Sequence, residues 1–239
     1  MKAYAASHVG KVRTVNQDAY YLPRVGERFV AVADGIGGHK AGEVASALAI
    51  EEFARWVRCA PRPGEDALRL AVSEANMAIY KAALADISKA GMGTTLTGLW
   101  FGEADVYLVH VGDSRAYLFR RGALMQLSSD HSLVGELLER GEITEEEAKV
   151  HPHRNLITRA LGTGPKVEPD IIRLNYRPDD VWFLCTDGMS NHVRNVEMAA
   201  ILSRALPWEK RMDALVNLAL KRGGTDNITV LAVAGREGA

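Results

Sequence analysis

Four aspartates in this 239-residue chain each lie at the end of a strand-like apolar segment, beside glycine or a short polar turn. Asp34, Asp113 and Asp187 follow such segments, and Asp226 precedes one. A single aspartate in this position is an ordinary turn or N-cap residue. Four in the same context, with Asp18 close to the first of them in sequence, are hard to attribute to turn chemistry alone. The pattern indicates carboxylates gathered at one end of a sheet.

Gathered carboxylates repel one another unless cations neutralise them. Oxygen ligands suit Mg²⁺ and Mn²⁺, and no Cys/His set has the spacing of a zinc site. Two such ions about 3.5–4 Å apart lower the pKa of a shared water and neutralise phosphoryl oxygens. The leading reaction is therefore hydrolysis of a phosphoester.

Other phosphate-handling motifs are poorly matched. The glycine-rich segment from Gly35 departs from G-x-G-x-x-G because Lys40 stands at the third glycine position. Neither G-x-x-x-x-G-K-[ST] nor G-x-S-x-G occurs.

Composition narrows the class of protein. A net charge of −1 gives no field that would attract nucleic acid or an anionic membrane. Cys59 and Cys185 form no CxxC motif, which suits a reducing compartment, and Cys185 is expected to be a buried hydrophobe. No signal-peptide-like h-region or membrane-span-length apolar run occurs. We expect a cytoplasmic monomer.

The elements that must position the aspartates are strands interrupted by helix pairs. Apolar periodicity of 3.6 residues predicts helices over 42–59, 65–83, 195–206 and 208–220. Strands are predicted at 2–7, 19–22, 29–34, 94–101, 106–111, 115–120, 124–127, 171–175, 181–186 and 228–234. The short connections between 94 and 127 predict one antiparallel meander. The fold class is α+β: an αββα sandwich of two antiparallel sheets flanked by helix pairs, in a single domain over 1–239.

A polar segment over 130–164 separates the strands predicted at 94–127 from those predicted at 171–186. It contains a short helical stretch from Leu133 and a capping box, Thr144 with Glu147. Segments of this kind are usually mobile surface elements. We interpret it as a flap beside the site.

Seven ordered motifs resemble those of the bacterial PPM/PP2C-type metal-dependent serine/threonine protein phosphatases. The resemblance covers nearly the whole chain, from about Ser7 to Val233, and its family fold is an αββα sandwich. The motifs are Asn16-Gln17-Asp18, Asp34-Gly35-Ile36-Gly37-Gly38-His39, Gly93-Thr94-Thr95, Gly112-Asp113-Ser114-Arg115, Asp130-His131-Ser132, Thr186-Asp187-Gly188 and Asp226-Asn227-Ile228-Thr229.

The resemblance implies roles for individual residues. Asp34 is implied to bridge two catalytic ions, with the Gly35 carbonyl as a further ligand. Asp187 and Asp226 are implied to complete the first ion's ligands, and Asp18 to serve the second through water. Asp113, with Asp187, is implied to bind a third, weaker ion. Arg13 matches the arginine that holds the substrate phosphate, a bidentate task suited to its guanidinium.

Two positions depart from the family pattern. His8 stands where many relatives have aspartate, so the support of Arg13 is expected to differ. Ile36 stands where eukaryotic relatives have histidine, which leaves His39 or a metal-bound water as the proton donor to the leaving alkoxide.

The other histidines are given structural roles. His110 is expected to be packed in a strand, and His131, His151, His153 and His192 to make turn or surface hydrogen bonds. Ser114 has no evident base. Arg13 as an ordinary surface ion-pair partner stays open as an alternative.

We therefore expect metal-dependent hydrolysis of phosphoserine and phosphothreonine in proteins, opposing a serine/threonine protein kinase. Two alternatives are a non-catalytic phosphoprotein-binding module and a hydrolase of small phosphoesters.

Overall fold

The computed structural model describes residues 1–37 and 41–235. Seven α-helices and eleven strands are found in these ranges, together with a 3₁₀ turn at Ile87–Lys89. The strands are β1 (Lys2–His8), β2 (Asp18–Tyr21), β3 (Phe29–Ile36), β4 (Gly93–Thr94), β5 (Leu96–Phe101), β6 (Asp105–Val111), β7 (Arg115–Arg120), β8 (Ala123–Gln126), β9 (Asp170–Asn175), β10 (Val181–Cys185) and β11 (Ile228–Ala234). The helices are α1 (Ala41–Cys59), α2 (Glu65–Ala85), α3 (Leu133–Glu139), α4 (Glu145–Val150), α5 (Asp187–Ser190), α6 (Asn195–Leu202) and α7 (Trp208–Lys221).

The strands form two antiparallel sheets, as the sequence predicts. One sheet has the order β1-β11-β10-β7-β8; the other runs β2-β3-β5-β6-β9, with β4 paired to β3. The first strand thus pairs with the last described one, with Lys2 opposite Ala234 and His8 opposite Ile228. The α+β expectation is confirmed.

Three apolar layers hold the sandwich together, because alternate residues of each central strand point to opposite faces. In β3, Val30 and Val32 pack between the sheets, against residues such as Leu231, while Phe29 and Ala31 face α1 and α2. The third layer lies between β10, β11 and the helices α6 and α7. The buried Cys185 belongs to this layer, as expected.

The prediction of a single meander from 94 to 127 is wrong at one connection. β5 pairs with β6 and β7 pairs with β8, but β6 and β7 belong to different sheets. Gly112 has φ of +108°, a conformation that L side chains rarely adopt, so the chain leaves β6 and crosses to the other sheet within three residues. The crossing places Asp113 between the two sheets at their common end.

Helix α6 is shorter than the sequence predicts. It ends at Leu202, four residues before the expected end at Leu206. Pro207 disfavours helical backbone at the residue before it, which limits how far the helix can extend.

The 130–164 segment holds the two short helices α3 and α4. The capping box is present: the Thr144 Oγ1 accepts from the Glu147 N–H, and the Glu147 carboxylate accepts from the Thr144 N–H. Within residues 1–37 and 41–235, none of the helices has both the length and the apolar character of a membrane span.

Candidate active site

Two of the predicted ligands lie opposite each other in one sheet. The antiparallel register of β2 and β3 pairs Asp18 with Asp34. The Gly35 N–H donates to the Gln17 carbonyl at 3.1 Å. A Cβ on Gly35 would lie 2.1 Å from the Gly42 carbonyl oxygen, so only glycine allows the start of α1 to pack here.

The other sheet delivers Asp187 and Asp226 to the same place. Asp187 follows β10 and Asp226 precedes β11, two neighbouring strands. The Thr186 hydroxyl donates to the Asp18 Oδ2 at 2.9 Å and so joins the ends of the two sheets. With Asp113, which follows β6 in the crossing between the sheets, five carboxylates from five strands converge.

Burial and mutual repulsion disturb the titration of these acids. Burial first, and neighbouring carboxylates second, raise the pKa of Asp18 to about 7 and that of Asp187 to about 6. The same two causes raise the pKa values of Asp34 and Asp113 well above their usual range. Asp34 is repelled by all four of the other aspartates. A bound cation would reverse this repulsion.

Individual oxygen atoms show that the site fits hard cations. Asp18 and Asp187 each have one oxygen held by the protein, from Thr186 and from the Asn191 amide at 3.1 Å, and one buried oxygen without a partner. Asp113 also has a buried oxygen without a partner. Within the described ranges, however, no three His, Cys, Asp or Glu side chains already surround a common point as metal ligands would. The donors are therefore of the right type for a hard cation, and their side chains would have to move to close around an ion.

Arg13 lies at the mouth of this site. Its guanidinium donates to the Asp226 Oδ2 at 2.8 Å, and its side chain is half exposed. The Asn227 side chain holds the loop that carries Arg13: its Oδ1 accepts from the Gln17 N–H at 2.8 Å, and its Nδ2 donates to the carbonyls of Val9 and Val15. His8 accepts from the Gly10 N–H at 2.9 Å through its Nδ1. Local support of Arg13 thus comes from Asn227.

Sequence reasoning missed a layer of hydroxyl groups beneath the carboxylates. The Thr95 Oγ1 accepts from the Asp34 N–H and shares a hydrogen bond with the Ser114 Oγ, both at 2.8 Å. The Thr94 hydroxyl donates to the Asp34 carbonyl at 2.8 Å. These side chains are buried and fix the backbone of two predicted ligands. Their adjacency to glycine in the Gly93-Thr94-Thr95 and Gly112-Asp113-Ser114 motifs was the available signal.

The histidines divide into three groups. His110 is buried in β6, as expected. His131 is also buried, which corrects the prediction of a turn or surface role for it, and His192 hydrogen-bonds to Thr225 at the surface. His39, the candidate proton donor, lies outside the described residues.

Comparison with known proteins decides the family. The model of the protein phosphatase 2C family matches residues 6–229. This chain belongs to the protein phosphatase 2C family. The serine/threonine phosphatase stp of Listeria monocytogenes is 38% identical to this phosphatase 2C chain over 231 residues, which are 94% of this chain and 92% of that one.

Solved phosphatase structures share both fold and sequence with this chain. The Mycobacterium tuberculosis serine/threonine phosphatase PstP/Ppp superposes with a TM-score of 0.89 at 40% identity, covering 98% of this chain and 99% of that one. The catalytic domain of PstP in complex with two manganese ions gives 0.86 at 39% identity, covering 97% and 96%. The phosphatase 2C fold of this chain is therefore shown, and its family includes a manganese-bound member.

Proposed function

We propose that this protein removes phosphate from phosphoserine and phosphothreonine side chains of proteins in a reaction that depends on divalent metal ions. The observation that carries the proposal is the convergence of five aspartates beside Arg13, with three buried carboxylate oxygens that lack any partner among the described residues. Buried polar atoms are normally hydrogen-bonded, so an exception calls for an explanation. Unpaired anionic oxygens clustered at a half-open site are explained by cation ligation.

Asp34, the Gly35 carbonyl, Asp187 and Asp226 would hold one Mn²⁺ or Mg²⁺, with Asp34 shared with a second ion near Asp18. Asp113 and Asp187 would hold a third, weaker ion. Bound ions of this kind supply an activated water and neutralise phosphoryl oxygens. The protein's own contribution is to orient the ligands: the Thr186 hydroxyl fixes one oxygen of Asp18, and the Asn191 amide fixes one oxygen of Asp187.

Arg13 would hold the substrate phosphate. Its contact with Asp226 occupies one of the two terminal guanidinium nitrogens, and half of the side chain faces solvent. The remaining N–H groups can approach two phosphate oxygens at once, in the fork geometry that suits arginine. The Asn227 N–H donates to the other Asp226 oxygen at 2.8 Å, so Asp226 stays in place when Arg13 takes up a phosphate.

The leaving alkoxide needs a proton, from His39 or from a water on the ions. The natural substrates would be proteins phosphorylated by a serine/threonine protein kinase of the same cell. We propose that the 130–164 segment acts as a flap beside the substrate, within a single phosphatase domain that works as a cytoplasmic monomer.

The test is release of phosphate from a phosphothreonine peptide, measured with Mn²⁺, with Mg²⁺ and with EDTA. Asp34→Ala should lower turnover by several orders of magnitude while circular dichroism shows a retained fold. Asp213→Ala, which removes an aspartate on the outside of α7, should leave turnover unchanged. Near-normal activity of the Asp34 variant would remove Asp34 from the proposed role.

The same assay separates the alternatives. A phosphoprotein-binding module would bind the peptide without metal-dependent phosphate release. A hydrolase of small phosphoesters would turn over phosphorylated metabolites much faster than the peptide.

A further inference from the structure

His131 makes two hydrogen bonds to one residue of the crossing between the sheets. Its backbone N–H donates to the Gly112 carbonyl at 2.8 Å, and its ring Nδ1 lies 3.0 Å from the Gly112 nitrogen. Because the backbone N–H is the donor in the second contact, Nδ1 must be the acceptor. His131 is only 6% exposed, so water does not readily replace it.

The other ring nitrogen is held by a carboxylate. Nε2 lies 3.0 Å from the Asp170 Oδ2 and, with Nδ1 accepting, carries the ring proton and donates it. Arg159 donates through its Nη1 to the other Asp170 oxygen at 2.7 Å, which fixes the carboxylate in turn. The same Nη1 lies 3.1 Å from the His131 Nε2, and because both nitrogens are donors in this tautomer, that contact is not a hydrogen bond. Burial, together with the Arg159 charge, lowers the pKa of His131, in agreement with a neutral ring. Asp170 thus selects the tautomer that can accept from Gly112.

The turn that His131 holds carries Asp113. Its opposite side is held through Ser114, whose Oγ bonds to Thr95 and whose carbonyl accepts from the Thr97 hydroxyl at 3.2 Å. The Gly112 N–H, by contrast, has the His131 ring as its hydrogen-bond acceptor. One half of the turn therefore depends on a histidine.

The same histidine fastens the base of the 130–164 segment. Its carbonyl accepts from the Thr158 N–H at 2.9 Å, and Ser132 forms a β-bridge with Ile157. His131 therefore joins the two ends of that segment to the Asp113 turn.

We propose that His131, oriented by Asp170, is a positioning residue that sets Asp113 for the third, weaker ion. This inference rests on the proposed function, since it assumes that Asp113 is a metal ligand. It goes beyond a packing role, because it requires the acceptor at Nδ1 and not merely a ring of this size. Loss of a residue that orients a metal ligand typically weakens metal binding about 10- to 100-fold.

The test is calorimetric titration of metal-free protein with Mn²⁺, without substrate. His131→Asn keeps an acceptor close to the position of Nδ1, whereas His131→Gln moves it away. The Gln variant should weaken the lowest-affinity Mn²⁺ step about 10- to 100-fold and leave the tighter steps unchanged, and the Asn variant should recover most of that loss.

His153→Gln is the control, because it makes the same substitution at an exposed histidine of the 130–164 segment. It should leave the weak step within about twofold of the wild type. Equal isotherms for all variants, or an equal loss in the control, would overturn the positioning role.

A measurement on the wild type does not depend on any variant folding. Long-range ¹H–¹⁵N NMR should show the His131 proton on Nε2 and a coupling across the hydrogen bond from Gly112 to Nδ1. A proton on Nδ1 would overturn the inference. If the wild type binds no Mn²⁺ at all, the proposed function fails and this inference with it. If the wild type binds Mn²⁺ and hydrolyses the peptide but His131→Gln binds normally, only the inference fails.

Discussion

Asn227→Ala should impair both the stability of this phosphatase and its use of substrate. Asn227 is 2% exposed, and its side chain makes three hydrogen bonds to the backbone of the 9–17 loop. That loop carries Arg13 and leads directly to Asp18. One truncation therefore acts on the proposed phosphate contact and on a proposed metal ligand without touching either.

The magnitude follows from the three lost contacts. A typical hydrogen bond contributes about 1 kcal/mol net, and a buried donor left without an acceptor costs about 1–3 kcal/mol. The Gln17 N–H, now bonded to the Asn227 Oδ1 at 2.8 Å, would lose that acceptor. We expect the free energy of unfolding to fall by about 3–5 kcal/mol, which for a domain of this size lowers the melting temperature by roughly 6–20 °C.

The assay has two parts. Urea unfolding in EDTA measures stability without any contribution from metal binding, and steady-state kinetics with a phosphothreonine peptide at saturating Mn²⁺ measures function. A displaced Arg13 should lower kcat/KM about 10- to 100-fold. Asn16→Ala is the control for stability, because the Asn16 side chain makes only two hydrogen bonds: it donates to Ser7 at 2.9 Å at the surface and accepts from the Asp18 N–H at 3.2 Å. Their loss should cost about 1–2 kcal/mol.

Equal unfolding free energies for the Asn227 and Asn16 variants would refute the reasoning, since it attributes the large effect to the loss of hydrogen bonds to buried backbone groups. A destabilised Asn227 variant with unchanged kcat/KM would retain the stability argument and refute the link to Arg13.

Single contacts give three more expectations. The free energy of unfolding of Gly112→Ala should be lower than that of Gly122→Ala by at least about 2 kcal/mol. Both glycines have positive φ, but a Cβ at Gly112 would lie 2.5 Å from the Thr95 side chain, whereas a Cβ at Gly122 would have nothing within 4 Å. Equal melting temperatures would contradict this. Burial first, and the neighbouring His131 imidazole second, lower the pKa of His110 to about 4. As pH falls below about 6.5, the unfolded chain therefore binds a proton at His110 that the folded chain does not. The free energy of unfolding should decrease by about 3 kcal/mol between pH 6.5 and pH 4. In His110→Gln, the urea concentration at the midpoint of unfolding should depend much less on pH between about 6.5 and 4. An unchanged pH dependence would contradict the role given to His110. Arg13→Lys should raise KM for the phosphopeptide about tenfold by removing the guanidinium fork, with Lys11→Ala as a neutral neighbour; equal KM values would leave Arg13 as an ordinary ion-pair partner.

Much of the fold was readable from local patterns. The strands before Asp34 and Asp187 are examples: the apolar run predicts the strand, and the Asp-Gly pair that follows predicts its end. Both signals lie within the segment itself. The helix at 65–83 and the capping box at Thr144 are local in the same sense. Such features depend little on partners elsewhere in the chain.

What the sequence could not show depends on distant partners. The short connection at Gly112 fits a hairpin and a crossing between sheets equally well, and only the placement of β7 beside β10 decides between them. His131 was given a turn or surface role because nothing in Asp130-His131-Ser132 reveals that its acceptor faces the Gly112 N–H. Asn227, likewise, serves a loop more than 200 positions away.

The pairing of β1 with β11 has a consequence for synthesis of the protein. Asp226 and Asn227 immediately precede β11, and β11 lies between β1 and β10. Until residue 234 has emerged from the ribosome, β1 therefore lacks the strand that joins it to the rest of this sheet. The nascent chain can therefore build the helix-covered β3–β5–β6 sheet early, yet it remains without its complete acidic cluster. Catalytic competence should appear abruptly once β11 has been synthesised, and a polypeptide that stops before β11 should be inert toward phosphoproteins.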